Sequence, residues 1–213
     1  CPSCDAEPAQ IGACLAGDAL LAPQLAASPG LRVPGALCGF ELALRAVLGQ
    51  QVSVRAATTL AGRLVAAFGA PLPGPLQTGG LTHSTPTPTR LAAASVEAIA
   101  AIGLPRRRAE CVRALAAAFA SGELRLRPGE DAAQVSAALL SLPGIGPWTA
   151  EYIAMRALRC PDAFPAGDLG VQRALGVRGA RDAEARAEAW RPFRAYAVMH
   201  LWGTLSTSGA TPA

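Results

Sequence analysis

The stretch Leu142-Pro143-Gly144-Ile145-Gly146-Pro147-Trp148 decides how the rest of the chain is read. Helix-compatible sequence runs into it from Ala132 and out of it to about Leu158. Pro143, Gly144 and Gly146 interrupt any single helix across the stretch. Glycine allows tight backbone geometry and leaves amides uncovered by side chains. A second helix that starts at once points its unpaired N–H groups out of the turn. Those groups and the positive end of the helix dipole form an anion site, which suits a phosphate and carries no base preference. A bare Gly-x-Gly between helices is more often an ordinary αα-turn. The full string from Leu142 to Ala150 is far more specific.

Working outward, the same helical logic repeats. Upstream, Phe40, Leu44, Val47 and Leu48 share one helical face. Gly49-Gln50-Gln51 interrupts it, and Ser53 reads as the N-cap of a helix that runs through Phe68 and ends at Gly69. A helix is expected from about Gly17 to Ala27, stopped by Ser28-Pro29-Gly30. Residues 70–90 form a Pro/Gly/Thr-rich connector. Ser95–Ala101 reads as a short helix closed by Gly103. Pro105 sits at a first helical position, and Arg106–Ala120 continues it. Asp131 caps a helix of Ala132–Leu142. Downstream, the Pro-rich stretch Pro161–Gly167 leads to Asp168 and a helix of Leu169–Leu175. A last long helix of about Asp182–Leu205 is bent or broken at Pro192, and the tail from Ser206 frays.

Composition agrees with an all-α fold. Of the 213 residues 51% are hydrophobic, much of that alanine, and only 5% are aromatic, so strand-favouring residues are thin. The net charge of +4 and the pI of about 9.0 permit an anionic partner without demanding one. All 19 basic residues are arginine, so no lysine amine exists here to form a Schiff base. Of the six cysteines only Cys1 and Cys4 have metal-like spacing, and no second pair follows them. His83 and His200 are too few for a metal centre. No signal peptide is visible, and no apolar run reaches the roughly 20 residues that span a bilayer. A reduced, cytoplasmic chain without a membrane partner is expected. The first residue is Cys rather than Met, so the sequence reads as a fragment with something preceding it.

The segment Leu142–Arg156, with Phe164-Pro165-Ala166-Gly167-Asp168 after it, resembles the hairpin, Gly/Pro loop and aspartate signature of the helix-hairpin-helix base-excision DNA glycosylase superfamily. Leu31–Ala57, with Phe40–Arg45 and Leu48–Ser53, is similar to the opening of the catalytic region in the DNA-3-methyladenine glycosylase II family. Trp190–Tyr196 and His200-Leu201-Trp202 resemble that family's last helix. The resemblance spans roughly Gly17 to Leu205 in order. It implies two helical lobes flanking a cleft. One would span residues 39–158, with the helix-hairpin-helix at about 132–158. The other would combine residues 15–38 with 159–205 and carry the aspartate. Residues 1–14 would be the remnant of a preceding β domain and 206–213 a tail.

The resemblance assigns catalysis to Asp168 in a hydrolase that removes alkylated, cationic purines such as 3-methyladenine from double-stranded DNA. Breaking an N-glycosidic bond builds positive charge on the sugar, which a fixed carboxylate stabilises. Asp168 also reads simply as the cap of the helix at Leu169, and the two roles are compatible. A flipped cationic base favours an electron-rich aromatic surface. The resemblance places Trp148, Tyr152 and Trp202 in that pocket, while Trp190, Phe193 and Tyr196 read as scaffold. It places Gln51 as the wedge that enters the duplex, where some relatives have leucine. Gly144, Ile145, Gly146 and Thr149 are assigned to DNA at the hairpin. The carbonyls of Leu140, Leu142 and Ile145 are assigned to a structural Na+ or K+. Relatives with lyase activity carry lysine where this chain has Trp148, so a monofunctional glycosylase is expected. Relatives that hold an iron–sulfur cluster do so through four cysteines near the C-terminus; the last cysteine here is Cys160, so no cluster and no required cofactor are expected. A monomer is expected. Arg106-Arg107-Arg108 reads as a solvated run that sits poorly against the helix dipole. Two other readings stay open: a glycosylase for another damaged base, and a damaged-DNA-binding module without catalysis.

Overall fold

In a computed structural model, residues 6–207 are described, and their regular structure is helical. Among the described residues the only β pairing is an isolated bridge between Pro71 and His83. Cys1 and Cys4, with the rest of residues 1–5, lie outside the described residues, as do 208–213 of the expected tail. The chain divides into two compact units. One takes residues 1–37, 127–136 and 146–213; the other takes 38–126 and 137–145. This division differs from the lobes expected above, because the helix after the hairpin and residues 127–136 group with the aspartate rather than with residues 38–126 and 137–145. Hydrogen bonds explain the grouping: Trp148 donates to Asp168, Arg156 to the Pro34 carbonyl, and the Phe164 amide to Glu151.

The unit built on residues 38–126 contains helices α3 (Gly39–Leu48), α4 (Val54–Phe68), α5 (Pro88–Ala93), α6 (Val96–Ala100) and α7 (Arg106–Ser121). The expected face of α3 is its buried face: Phe40, Leu44, Val47 and Leu48 are all in the core. Phe40 meets Phe119 of α7 edge-on, with ring centroids 5.0 Å apart. Ser53 caps α4 by accepting from the Ala56 amide, and Ser95 caps α6 by accepting from the Ala98 amide. The connector over 70–90 is ordered by backbone bonds Leu72–Thr82 and Ser84–Ala70. It ends sooner than expected, because Thr87 caps α5 and Pro88 occupies its first turn. Pro105 is the N-cap residue of α7 rather than its first helical residue.

The other unit contains α1 (Pro8–Leu15) and α2 (Ala22–Ala27), then, after the hairpin, α9 (Pro147–Ala157), α10 (Leu169–Leu175), α11 (Ala180–Ala187) and α12 (Arg194–Thr207). Between them in sequence, α8 (Ala132–Leu140) begins at Asp131, whose carboxylate accepts from the Ala133 and Gln134 amides as expected. The helix expected over Gly17–Ala27 is instead a turn at Asp18 followed by the short α2. Asp18 shapes that turn by accepting from the Leu20 amide at 2.9 Å. The α1 helix falls on residues expected to be a β remnant. The break at Pro192 is present, and a 3₁₀ turn over Glu188–Trp190 precedes it.

Trp190 is the largest fully buried side chain of this unit. Its indole N–H donates to Asp18 at 2.8 Å, and Arg186 reaches the same carboxylate oxygen at 2.7 Å while lying over the indole ring. Burial pushes the Asp18 carboxyl up. The bonds from Arg186, Trp190 and the Leu20 amide outweigh it, so the group titrates below the ordinary carboxylate value. A depressed folded pKa stabilises the fold above the unfolded value of about 3.9, and that contribution is lost as pH falls through the folded value. Asp18→Asn is therefore expected to lower the urea midpoint at pH 7. The gap from the parent should close as the pH is taken below about 4, and a gap that stays constant with pH would remove the carboxylate from the explanation.

Candidate active site

Asp168 begins α10 and is its N-cap: Oδ1 accepts from the Val171 amide at 2.9 Å. The same oxygen accepts from the indole N–H of Trp202 at 3.0 Å. The other oxygen, Oδ2, accepts from the indole N–H of Trp148 at 3.0 Å. Three N–H groups therefore converge on one half-buried carboxylate. Indole and amide N–H groups only donate, so they suit an acceptor-only carboxylate. An ionised carboxylate offers about four lone-pair sites, which leaves capacity on Oδ2.

The aromatic side chains form a connected set around this group. Trp148 and Tyr152, one turn apart on α9, stack with centroids 5.5 Å apart and an interplanar angle of 13°. Trp202 of α12 lies 6.4 Å from Tyr152, tilted by 47°. Arg156, a further turn along α9, donates to the Tyr152 hydroxyl at 3.3 Å and lies 5.7 Å from its ring centroid. The structure thus brings together the four residues expected to form the catalytic group and base pocket. Trp190 and Tyr196 are buried scaffold, as read from the sequence.

The loop that delivers Asp168 is fixed from both sides. Glu151 of α9 accepts from the Phe164 amide at 2.8 Å. Burial pushes the Glu151 carboxyl up, against the lowering effect of that bond and of Arg194. Asp162 is gripped by Arg191 and Arg194, and Arg194 lies over the Phe164 ring. Gln172 then donates to the Ala166 carbonyl at 2.9 Å. Sequence reasoning missed these ties, because each depends on pairs brought together by tertiary folding.

At the hairpin, Gly144 takes the left-handed conformation with φ of 83°, which favours glycine. A Cβ there would meet the Cys111 side chain at 3.2 Å. No side chain caps α9 at Gly146, so the helix start is left to backbone amides. The Ile145 side chain is buried, and so is Thr149, at 3% exposure. The Leu142 carbonyl accepts from the Ile145 amide at 3.2 Å.

The turn between α3 and α4 holds a surprise at Gln51. It is exposed and left-handed, with φ of 53°, a conformation that costs a non-glycine residue roughly 1–2 kcal/mol. Its neighbour Gln50 donates from Nε2 to the Gly144 carbonyl at 3.0 Å. Arg108 of α7 donates to the Gln50 carbonyl at 2.7 Å. Arg106 pairs with Glu97 and Glu110. The run is thus solvated at Arg106 and Arg107, as expected, and departs from that expectation at Arg108. Burial pushes the Cys111 thiol up to about 11, which makes it an inert packing group. Among the described residues no cluster of three or more His, Cys, Asp or Glu could hold a metal ion, and no helix is long and apolar enough to cross a membrane.

Residues 44–194 match the family model described as the HhH-GPD superfamily base excision DNA repair protein, and residues 3–38 match the AlkA N-terminal domain. The chain is 45% identical over 205 residues to a Mycobacterium tuberculosis protein named probable bifunctional transcriptional activator/DNA repair enzyme AlkA, covering 94% of this chain and 40% of that one. It is 38% identical to DNA-3-methyladenine glycosylase 2 of Escherichia coli, covering 84% of this chain and 62% of that one. The chain thus spans between two fifths and two thirds of these relatives. Among solved structures it resembles a 3-methyladenine DNA-glycosylase from Archaeoglobus fulgidus, with a TM-score of 0.77 and 27% identity over 96% of this chain and 72% of that one. On a family match that covers well over half its length, and with the hairpin and aspartate in place, the chain belongs to the HhH-GPD superfamily of base excision DNA repair proteins.

Proposed function

We propose that this chain carries the catalytic site of a DNA glycosylase that excises alkylated, cationic purines such as 3-methyladenine from double-stranded DNA. The observation that carries the reading is the Asp168 carboxylate, held by two indole N–H groups beside the stacked rings of Trp148 and Tyr152. The names of the Escherichia coli and Archaeoglobus fulgidus relatives support the substrate class. Binding starts with phosphates, for which the uncapped start of α9 offers amides and a positive dipole end. The target nucleotide leaves the stack, and its cationic base meets electron-rich ring surfaces. The C1′–N bond then breaks with its electron pair going to the base, which departs neutral. Water supplies the new C1′–O bond and loses a proton. Positive charge on the sugar in between is stabilised by the fixed carboxylate, and Oδ2 has the capacity left to face it. A good leaving group needs little general acid, and an aromatic site is adequate for it. Neutral lesions such as uracil or 8-oxoguanine leave less readily and suit this site less well.

The hairpin is also proposed to hold Na+ or K+ through the carbonyls of Leu140, Leu142 and Ile145. A carbonyl oxygen has two lone pairs, so the Leu142 oxygen retains one beyond its bond from Ile145. Such an ion would draw the turn's carbonyls together and leave its amides for phosphate.

Single-turnover excision from a duplex with one 7-methylguanine tests the reading. The parent should release free base and leave an abasic site that breaks only with alkali or heat, since the chain has no lysine for a lyase step. Asp168→Asn should cost about 10²- to 10³-fold in rate. A folded parent that binds the duplex and releases nothing would favour a binding module instead. Trp148→Phe and Trp202→Phe keep a ring but remove one N–H donor to Asp168 each. Either should slow excision by about ten-fold while duplex affinity holds, from the typical worth of a hydrogen bond to a charged group. Parental rates in both variants would show that the indoles only fill space. Replacing K+ by tetramethylammonium at equal ionic strength should weaken duplex binding without loss of helical circular dichroism; unchanged binding would dismiss the cation.

A further inference from the structure

Gln51 is an exposed residue in a left-handed turn, and something must hold it there. The peptide plane between Gln50 and Gln51 sets φ of Gln51, and that plane carries the Gln50 carbonyl. Arg108 donates to this carbonyl at 2.7 Å. The Gln50 side chain turns the other way and donates to the Gly144 carbonyl of the hairpin at 3.0 Å. Gly144 itself sits flush on Cys111, where an added Cβ would approach the thiol-bearing side chain to 3.2 Å. Arg108 and Cys111 are three apart on α7 and so share one face. One helix edge therefore seats both the turn that presents Gln51 and the turn that reverses the hairpin, and Gln50 bolts the two turns together.

We infer that Arg108 is a positioning residue for duplex opening: it holds the Gln50–Gln51 turn in register with the Gly144 turn, so that Gln51 enters the stack in one fixed conformation. Arg108 acts through the turn, by its bond to the Gln50 carbonyl. Its donor is a charged, planar fork, which fixes a carbonyl direction better than a solvated amine does. The inference rests on the glycosylase reading above and deepens it.

Arg108→Met removes the donors and keeps the length; Arg108→Lys returns one donor. Opening is read by 2-aminopurine fluorescence next to a 7-methylguanine in a paired duplex, and excision is read separately. A second duplex places the lesion opposite a one-nucleotide gap, where it is unpaired and unstacking costs least. Arg108→Met should lose about ten-fold in both opening and excision on the paired duplex. It should match the parent on the gapped duplex, which also shows that it is folded, and Arg108→Lys should recover part of the loss. Equal loss on both duplexes would mark Arg108 as merely structural and overturn the inference, as would parental behaviour on the paired duplex. If the parent brightens the probe but releases no base, the glycosylase reading falls while the Arg108 dependence of the fluorescence still decides this one. If the parent leaves the probe dark, the inference falls.

Discussion

The two indole N–H groups on the Asp168 carboxylate are the contacts around which one whole unit is arranged. Trp148 comes from α9 and Trp202 from α12, 54 residues apart in the chain by the difference of their numbers. Both rings must arrive with their N–H edges aimed at the two oxygens of one carboxylate. A hydrogen bond loses its strength steeply with angle, so small shifts of either helix would break one. The ties that seem remote from the site serve this geometry. Glu151 fixes the start of the Phe164 loop, Asp162 holds it to Arg194 on α12, and Gln172 holds its end. The polar groups in these ties find partners among one another, so the carboxylate is presented by a rigid frame at the end of a short helix.

The cap role and the proposed catalytic role of Asp168 divide between its oxygens. Oδ1 takes the Val171 amide and the Trp202 indole, both within the frame. Oδ2 takes one indole only. The cap fixes χ1 and the plane of the carboxylate through Oδ1, and fixing that plane is what gives Oδ2 a defined direction. A carboxylate free to rotate would solvate itself and lose the preorganisation on which charge stabilisation depends. The helix start that a capping residue needs and the charge that a developing cation needs are met by one side chain in one rotamer.

Much of this was legible in the sequence wherever the physics is local. Ser53, Ser95, Asp131 and Asp168 cap helices through bonds that reach only two or three residues ahead. The buried face of α3 follows from spacing alone. The reading failed where a residue's partner lies far along the chain. Asp18 holds a turn where composition reads as helix, and its partners are Arg186 and Trp190. The first turn of α9 rotates the Thr149 side chain into the core, which its place in the hairpin string does not reveal. The α5 helix was missed for a different reason: Thr87-Pro88 is a sound helix start, but it sits inside a stretch whose composition reads as loop.

The arginine run at the start of α7 did carry a signal, in the form of a broken rule. Positive side chains oppose the helix dipole at an N-terminus, so three in a row are locally unfavourable there. Places where a sequence violates a local preference are places where something else holds it. For Arg106 the compensation is Glu97 and Glu110, which restore negative charge near the helix start. For Arg108 it is a backbone carbonyl whose plane governs a left-handed glutamine. A neutral donor at 108 would spare the dipole conflict, but it would hold that carbonyl with a weaker bond. The charge is tolerated at α7 because the turn it supports carries strain of its own, and the two unfavourable local choices make sense only together.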